Sequence, residues 1–426
     1  MSQIKDHPLR YQLANELHAR PFPDLAAPCH AAYLAIKKPE NAANRDRALD
    51  WAHLIDLLDR FGAQHPKPDA THFFGDLGKY KLKWEQHTEF VTYTIFVDGV
   101  AQRPFDKASF DVFPDDWLAQ APGVCLTSAF IRVETMSEPA TIKDKLADWF
   151  VAESLAASAI LDGSAVMAGD FRIDSAGHMR FAVFVKADTG ARRVGRIVQR
   201  VCEIETYKTM SMLGLGRARE LSAQLGGIDT QLSALVADMT AKVSDADKTL
   251  KQLLETSAEL ESLLAHTSFR FSATGAYEAL VQQRIEVLRE ERFEGRQTFR
   301  EFMTRRFDPA MRTVKATEAR LRAMSERAIR AGDLLRTRVD VERSEQNQKL
   351  LESMDRRADL QLRLQRTVEG LSVVAISYYA VNLASYMAYP VSEPIGLSKG
   401  MLTAILTPIV VLLVWAAIRR IRREVE

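Results

Sequence analysis

Two uncharged apolar runs near the C-terminus constrain this chain more than anything that precedes them. Leu371 to Tyr389 is 19 residues without a charge, and Met401 to Ile418 is 18. A bilayer-spanning helix needs about 20 predominantly apolar residues, with about 17 as the working minimum, so both runs are long enough. Between them, PVSEPIGLSKG (390–400) holds two prolines and two glycines, residues that break helical continuation and suit a short external turn. Arg356, Arg357, Arg363 and Arg366 precede the first run and Arg419, Arg420, Arg422 and Arg423 follow the second, whereas the turn has only Lys399 and Glu393. Cytoplasmic flanks of membrane helices are enriched in Lys and Arg. The distribution predicts a transmembrane hairpin, 371–418, with both termini and the basic tail 419–426 in the cytoplasm and the lipid bilayer as a partner.

The rest of the chain is expected on the cytosolic side. The start, MSQIKDHPLRYQ, is polar and lacks the apolar core of a cleaved signal peptide. Cys29, Cys125 and Cys202 are odd in number and far apart, with no C-x-x-C, which argues for a reducing compartment and against a disulfide framework or zinc knuckle. A net charge of +1 gives no excess toward nucleic acid, and none is expected as a partner.

The fold class predicted is α+β. Residues 1–190 read as a mixed α/β domain. Asn44 to Phe61 places Ala48, Trp51, Leu54, Ile55, Leu58 and Phe61 on one helical face. KYKLKWEQ alternates Tyr80, Leu82 and Trp84 with lysines, and FVTYTIFV (90–97) follows after a short polar turn, the pattern of a β-hairpin. Strands are also predicted at 31–37, 125–133, 165–173 and 179–186, and a helix at 141–154. Residues 191–370 change period and are predicted to form a helical coiled-coil stalk. Leu225, Leu232, Met239, Ala246, Leu253 and Leu260 recur every seven residues, with Leu221, Ile228 and Leu235 between them. A break is expected at HTSFRFSATG (266–275), a second helix from about Tyr277 to Arg306, and a third from Met311, after Asp308-Pro309, continuing into the membrane. Long apolar seams of this kind predict self-assembly.

Candidate chemistry is sparse. Seven of nine histidines lie in the first 87 residues, and HPLRYQLANELHARPFP offers His7, Asn15, Glu16, His18 and Arg20 as a possible motif. His18 and His30 are twelve apart with prolines between them, a spacing that matches no metal-ligand pattern. The structural alternative is a helix, Leu9 to Ala19, ended by Arg20-Pro21. No phosphate loop, dinucleotide fingerprint, nucleophile elbow or H-E-x-x-H is present, so no enzyme is expected and no cofactor is implied.

The first apolar run is more telling. Tyr378, Asn382, Ser385 and Tyr389 are spaced by four, three and four and share one helix face. Polar groups in a span face protein or water, so this stripe is either a pore wall or an interface between helices. The second run is nearly pure Val, Leu, Ile and Ala apart from Thr403, Thr407 and Pro408.

HPLRYQLANELHARPFPDLAAP, ARRVGRIVQRVCEIETYKTMSM and LQRTVEGLSVVAISYY together resemble the DUF3422 family of bacterial membrane-anchored proteins. That resemblance implies the bacterial inner membrane and supplies no biochemical role. The C-terminal plan is also similar to CorA-type magnesium channels, whose first span ends in Tyr-Gly-Met-Asn. Here the place reads Tyr379-Ala380-Val381-Asn382, keeping the Asn but replacing Gly and Met. Two functions are expected from these readings: a membrane-anchored binding or scaffold protein, or an oligomeric CorA-like channel or transporter. A reporter fused after Glu426 is expected to be active in the cytoplasm and one inserted at 390–400 to be active outside; the reverse pattern would remove the hairpin topology.

Overall fold

β1 (Cys29–Lys37) is buried at every position, as a central strand covered on both faces must be. The computed structural model describes residues 4–16, 22–68, 70–240, 246–392 and 398–425. The chain divides into two units, Met1–Val243 with Lys251–Ala331, and Ser244–Leu250 with Gly332–Glu426.

In the first unit, β1 is the fourth strand of a nine-stranded sheet. Its partners are β2 (His72–Leu77), β3 (Tyr80–Gln86), β4 (Phe90–Asp98), β5 (Val124–Thr135), β6 (Ala156–Ile160), β7 (Ala165–Ile173), β8 (Met179–Val185) and β9 (Glu291–Arg292). The spatial order is β2-β3-β4-β1-β5-β8-β7-β6-β9. Each half follows one plan: a strand, a helix, then a three-strand meander that returns beside the first strand. The halves join through the antiparallel β1–β5 pair. They differ in direction, since β4 is antiparallel to β1 whereas β8 is parallel to β5.

One face of the sheet carries the helices of the two halves. α2 (Arg47–Arg60) is capped by the Asp46 side chain, which accepts from the Ala48 amide at 2.9 Å. With α3 (Asp115–Leu118) it buries Leu54, Leu57, Leu58 and Trp117 against Leu34, Leu82, Trp84, Tyr93 and Ile95. Full burial of such side chains contributes about 1.5–3 kcal/mol each. α4 (Pro139–Trp149) covers the second half through Ile142, Leu146 and Trp149, which pack on Val166, Ala168 and Phe184. It starts at Pro139, since a proline at the first helical position loses no hydrogen bond, and ends at Trp149, short of the predicted Ser154, because Phe150 is extended. β2, β6 and β9 are additional to the predicted strands. β6 reads AASAI, with little intrinsic strand preference, and is held by its neighbours β7 and β9.

The opposite face is covered by α5 (Ala191–Thr240) and the start of α7 (Phe299–Ser392). Val194, Ile197, Val201 and Ile204 of α5 are buried. Phe299 packs on Phe171 at 5.0 Å between ring centroids. Gly195 lets α5 approach Pro23: a Cβ there would stand 1.7 Å from the Pro23 carbonyl oxygen. α5 then continues beside α6 (Ala246–Glu286) and α7. Leu221, Leu225, Ile228, Leu232 and Leu235 of the seven-residue series are buried within the single chain, as are Leu253 and Leu260. Lys315 of α7 pairs with Glu278 of α6 at 2.8 Å, and Arg327 of α7 with Asp229 of α5 at 3.0 Å.

Two predicted helix boundaries are corrected. HTSFRFSATG does not break a helix, because α6 runs through it. The hydroxyls of Thr267, Ser268 and Thr274 donate to the carbonyls of Leu263, Ala265 and Arg270, so these residues satisfy themselves inside the helix, and Phe271 is buried. Nor does Asp308-Pro309 begin one: the single helix expected from about Tyr277 to Arg306 is interrupted, since α6 ends at Glu286, β9 follows, and α7 starts at Phe299. Thr298 Oγ1 accepts from the Glu301 amide at 3.1 Å, and Glu301 Oε2 accepts from the Thr298 amide at 3.1 Å, a reciprocal capping box. The Glu290 carboxylate takes the amides of Phe299 at 3.0 Å and Arg300 at 2.9 Å, and the Ser158 hydroxyl at 2.6 Å. All of these amides lack partners within the helix.

In the second unit, α7 continues to Ser392 and α8 (Lys399–Val425) follows. Each contains a stretch long and apolar enough to cross a membrane. Thr298→Ala is expected to lower unfolding free energy by about 1 kcal/mol. Thr298→Ala/Glu301→Ala should cost less than the sum of the single changes in chemical denaturation, because both remove one box; strict additivity would deny the capping role.

Candidate functional site

The N-terminal residues do not assemble into a described site. His7 is exposed, and its Nδ1 accepts from the Leu9 amide at 3.2 Å. Asn15 and Glu16 belong to the seven-residue helix α1 (Arg10–Glu16), and their side chains lie outside the described residues, as do His18 and Arg20 entirely. Among the described residues no group of three or more His, Cys, Asp or Glu side chains is placed to hold a metal ion.

Other histidines of this region serve the core. His30 is buried on β1, with Nδ1 2.8 Å from the Gly99 carbonyl and its ring stacked on Phe130. His53 Nε2 donates to the Trp117 carbonyl at 3.1 Å, which leaves Nδ1 to accept from the Tyr93 hydroxyl at 2.9 Å. Burial lowers the pKa of His53, opposed by its bond to Trp117.

The C-terminal stripe is divided by the structure. Ser377, Val381 and Ser385, spaced by four, are the buried row of the apolar part of α7. Ser385 Oγ lies 3.4 Å from Thr403 Oγ1 of α8. Tyr378 is exposed, and Asn382 is half-buried, its amide donating to the Tyr378 carbonyl of its own helix at 3.1 Å. The side chain of Tyr389 lies outside the described residues. A groove of about 400 Å³ between the helices is lined by Ser377, Tyr378, Asn382, Thr403 and Thr407 among others. Ser377, absent from the predicted set, was legible as the first member of a small-residue row at four-residue spacing, the pattern that lets helices approach.

The most developed site is a cavity of about 300 Å³ in the first unit, between the sheet and α5. Its floor follows from strand alternation. Leu82 and Trp84 point to the α2 core, so Lys83 and Glu85 must point the other way. Register places Lys83 beside Thr94 and Thr94 beside Tyr33, while Glu85 stands beside Thr92. A polar band thus crosses β3, β4 and β1, and α5 covers it. The walls are Gln199, Arg200, Cys202, Glu203, Thr206 and Tyr207 of α5, Arg284 of α6, and the apolar side chains of Phe22, Phe90, Phe96 and Val287.

Hydrogen bonds link most of these charges. The Lys83 ammonium donates to Gln199 Oε1 at 2.7 Å and stands 3.2 Å from Glu85 Oε2. Gln199 Nε2 donates to Glu203 Oε1 at 2.8 Å, and Arg284 Nε donates to the other Glu203 oxygen. Lys83 and Glu85 are almost wholly withdrawn from solvent, with 5% and 14% of their side chains accessible. Arg200 stands outside this chain of bonds. Its guanidinium hydrogen-bonds to no described residue, and burial lowers its pKa, opposed by the charge of Glu203 and reinforced by Arg196 and Arg284. Burial pushes the Cys202 thiol and the Tyr33 phenol upward, away from the anionic forms.

With this geometry in hand, the comparison with family models is decisive at the level of family. A model described as a protein of unknown function, DUF3422, matches residues 5–425. The chain belongs to the DUF3422 family. Among curated proteins none matches it in sequence. The role of this DUF3422 member therefore rests on its own cavity and helices. Lys83 and Glu85 were legible as the polar side of KYKLKWEQ, but nothing in that pattern says the side is covered.

The buried imidazole predicts a pH effect. A histidine with a depressed folded pKa contributes stability that is complete above the unfolded value near 6.5 and is lost as pH falls below it. Between pH 7.5 and pH 5 the wild type should lose more thermal stability than His53→Gln; parallel profiles would contradict the neutral, buried assignment.

Proposed function

We propose that this DUF3422 protein is a bacterial inner-membrane protein in which a C-terminal helical hairpin anchors a cytosolic small-molecule-binding head. The observation that carries the reading is the charge-lined cavity between the sheet and α5. Removing Lys83, Glu85 and Glu203 from water costs several kcal/mol per ion before pairing, and packed apolar residues would serve a purely structural interface at least as well. A concave space with a few convergent polar groups on apolar walls is the usual form of a small-molecule site. Burial holds the Cys202 thiol and the Tyr33 phenol away from their anionic, nucleophilic forms, which favours binding over catalysis by these two groups.

The anchor is supported by the distribution of polar atoms in the C-terminal helices. Ser385 and Thr403 face each other, Asn382 is bonded within its own helix, and Leu371, Val374, Leu383, Leu412 and Leu413 are exposed as lipid-facing residues would be. Arg419 and Arg420 fit the cytoplasmic end. Self-assembly through the middle of α7 accompanies this reading. Leu350, Leu351, Met354, Leu364 and Val368 are exposed in a single chain, on a helix too poor in apolar surface to stand alone. A coiled-coil pairing of copies would cover them.

The groove lined by Tyr378, Asn382, Thr403 and Thr407 favours one second reading, an oligomeric CorA-like channel or transporter with the degenerate Tyr379-Ala380-Val381-Asn382 motif near its mouth. Full-length protein reconstituted into vesicles containing a magnesium indicator separates the two. The anchor reading expects no ion flux above empty vesicles. A flux abolished by Asn382→Ala would establish the channel instead.

A further inference from the structure

We infer that the head's cavity takes a small organic monocarboxylate, its carboxylate on Arg200 and its apolar body against Phe90 and Phe96. The inference rests on the reading of the head as a binding module and deepens it. Charge is the first argument. Lys83, Arg200 and Arg284 line the cavity together with Glu85 and Glu203; Lys83 stands against Glu85 and Arg284 against Glu203. Among the described residues Arg200 is the surplus cation, and one unmatched positive charge calls for one negative charge. A phosphate monoester carries close to two at neutral pH, so a carboxylate balances the site better. His87, Tyr33, Tyr207 and Cys202 are the other titratable groups among the described residues that line the space.

Hydrogen-bonding capacity is the second argument. The Arg200 guanidinium offers a planar fork of N–H donors suited to bidentate carboxylate recognition, and among the described residues nothing accepts from it. Thr94 is buried on the floor, and its hydroxyl bonds to no described residue. Both groups line the cavity, and a carboxylate offers each an acceptor. Size is the third. About 300 Å³ is the lower end of small-molecule sites and admits a metabolite rather than a peptide. The aromatic and aliphatic walls give such a ligand an apolar surface to cover.

The test is thermal unfolding of the full-length protein in detergent at constant ionic strength with three probes: benzoate, its neutral isostere benzamide, and inorganic phosphate. Benzoate is expected to raise the unfolding temperature by several degrees at millimolar concentration, benzamide and phosphate much less. Arg200→Gln should weaken benzoate at least tenfold, while Arg219→Gln, the same charge change on an exposed part of α5, should not. If Arg200→Gln fails to fold, Thr94→Val must weaken benzoate several-fold. Equal stabilisation by benzoate and benzamide, undiminished in Arg200→Gln, would overturn the carboxylate assignment and leave the binding reading standing. A matching response to phosphate would also overturn it. No response to any probe would remove both.

Discussion

The head is organised by the need to cover a sheet face that is polar by sequence. β3 and β4 alternate, and one of their faces must carry Lys83, Glu85, Thr92 and Thr94 because the other carries Leu82, Trp84, Val91, Tyr93 and Ile95. An antiparallel hairpin of this kind ordinarily leaves the polar face to water. Here the chain brings a 50-residue helix over it. The apolar side chains of α5 find apolar partners toward β1, β5 and β8, but over β3 and β4 they would meet charge. α5 answers with Gln199, Arg200 and Glu203 at those positions, and the cavity is what remains between two polar surfaces that cannot close as a dry core.

That arrangement gives one helix three tasks. Its first turns lock onto the segment at Pro23 through Gly195 and onto the sheet through Val194, Ile197 and Val201. Its next turn lines the cavity. Its remainder packs with α6 and α7, where Gly214 lets Thr274 approach so closely that a Cβ would stand 2.2 Å from the hydroxyl. A residue that links the sheet to the helices is therefore never far from one that lines the cavity, and Arg284 of α6 meets Glu203 there.

Much of the fold was legible because its elements follow strong local rules. β1, β3, β4, β5, β7 and β8 lie where alternation and β-branched residues place them, and α2 lies where its apolar period does. Misses have particular causes. β6 is alanine and serine, so only its neighbours define it as a strand. HTSFRFSATG has the composition of a loop, yet its hydroxyls bond to their own helix carbonyls. The start of α7 was marked by Thr298 and Glu301, a capping box in plain sequence, but Asp308-Pro309 is the more conspicuous signal and drew the boundary to Met311, twelve residues too late. In the C-terminal helices, the spacing of Tyr378, Asn382 and Ser385 suggested one polar face, whereas packing selects Ser377, Val381 and Ser385, because small side chains permit close approach and tyrosines do not.

By itself the sequence determined the periodicities: the alternating hairpins of the head, the long helical stripes, the two apolar runs with arginine at their outer ends, and family membership. Those are properties of residues within one or two turns of each other, set by backbone geometry and hydropathy. Only the tertiary structure decided that the polar side of β3 and β4 is roofed, that Leu221 to Leu235 pack inside the chain, and that Arg200 comes to line one cavity with Lys83 and Glu85. Those facts depend on which distant segment covers which face, and a face records in its own sequence only that it is polar, not whether water or a helix lies against it.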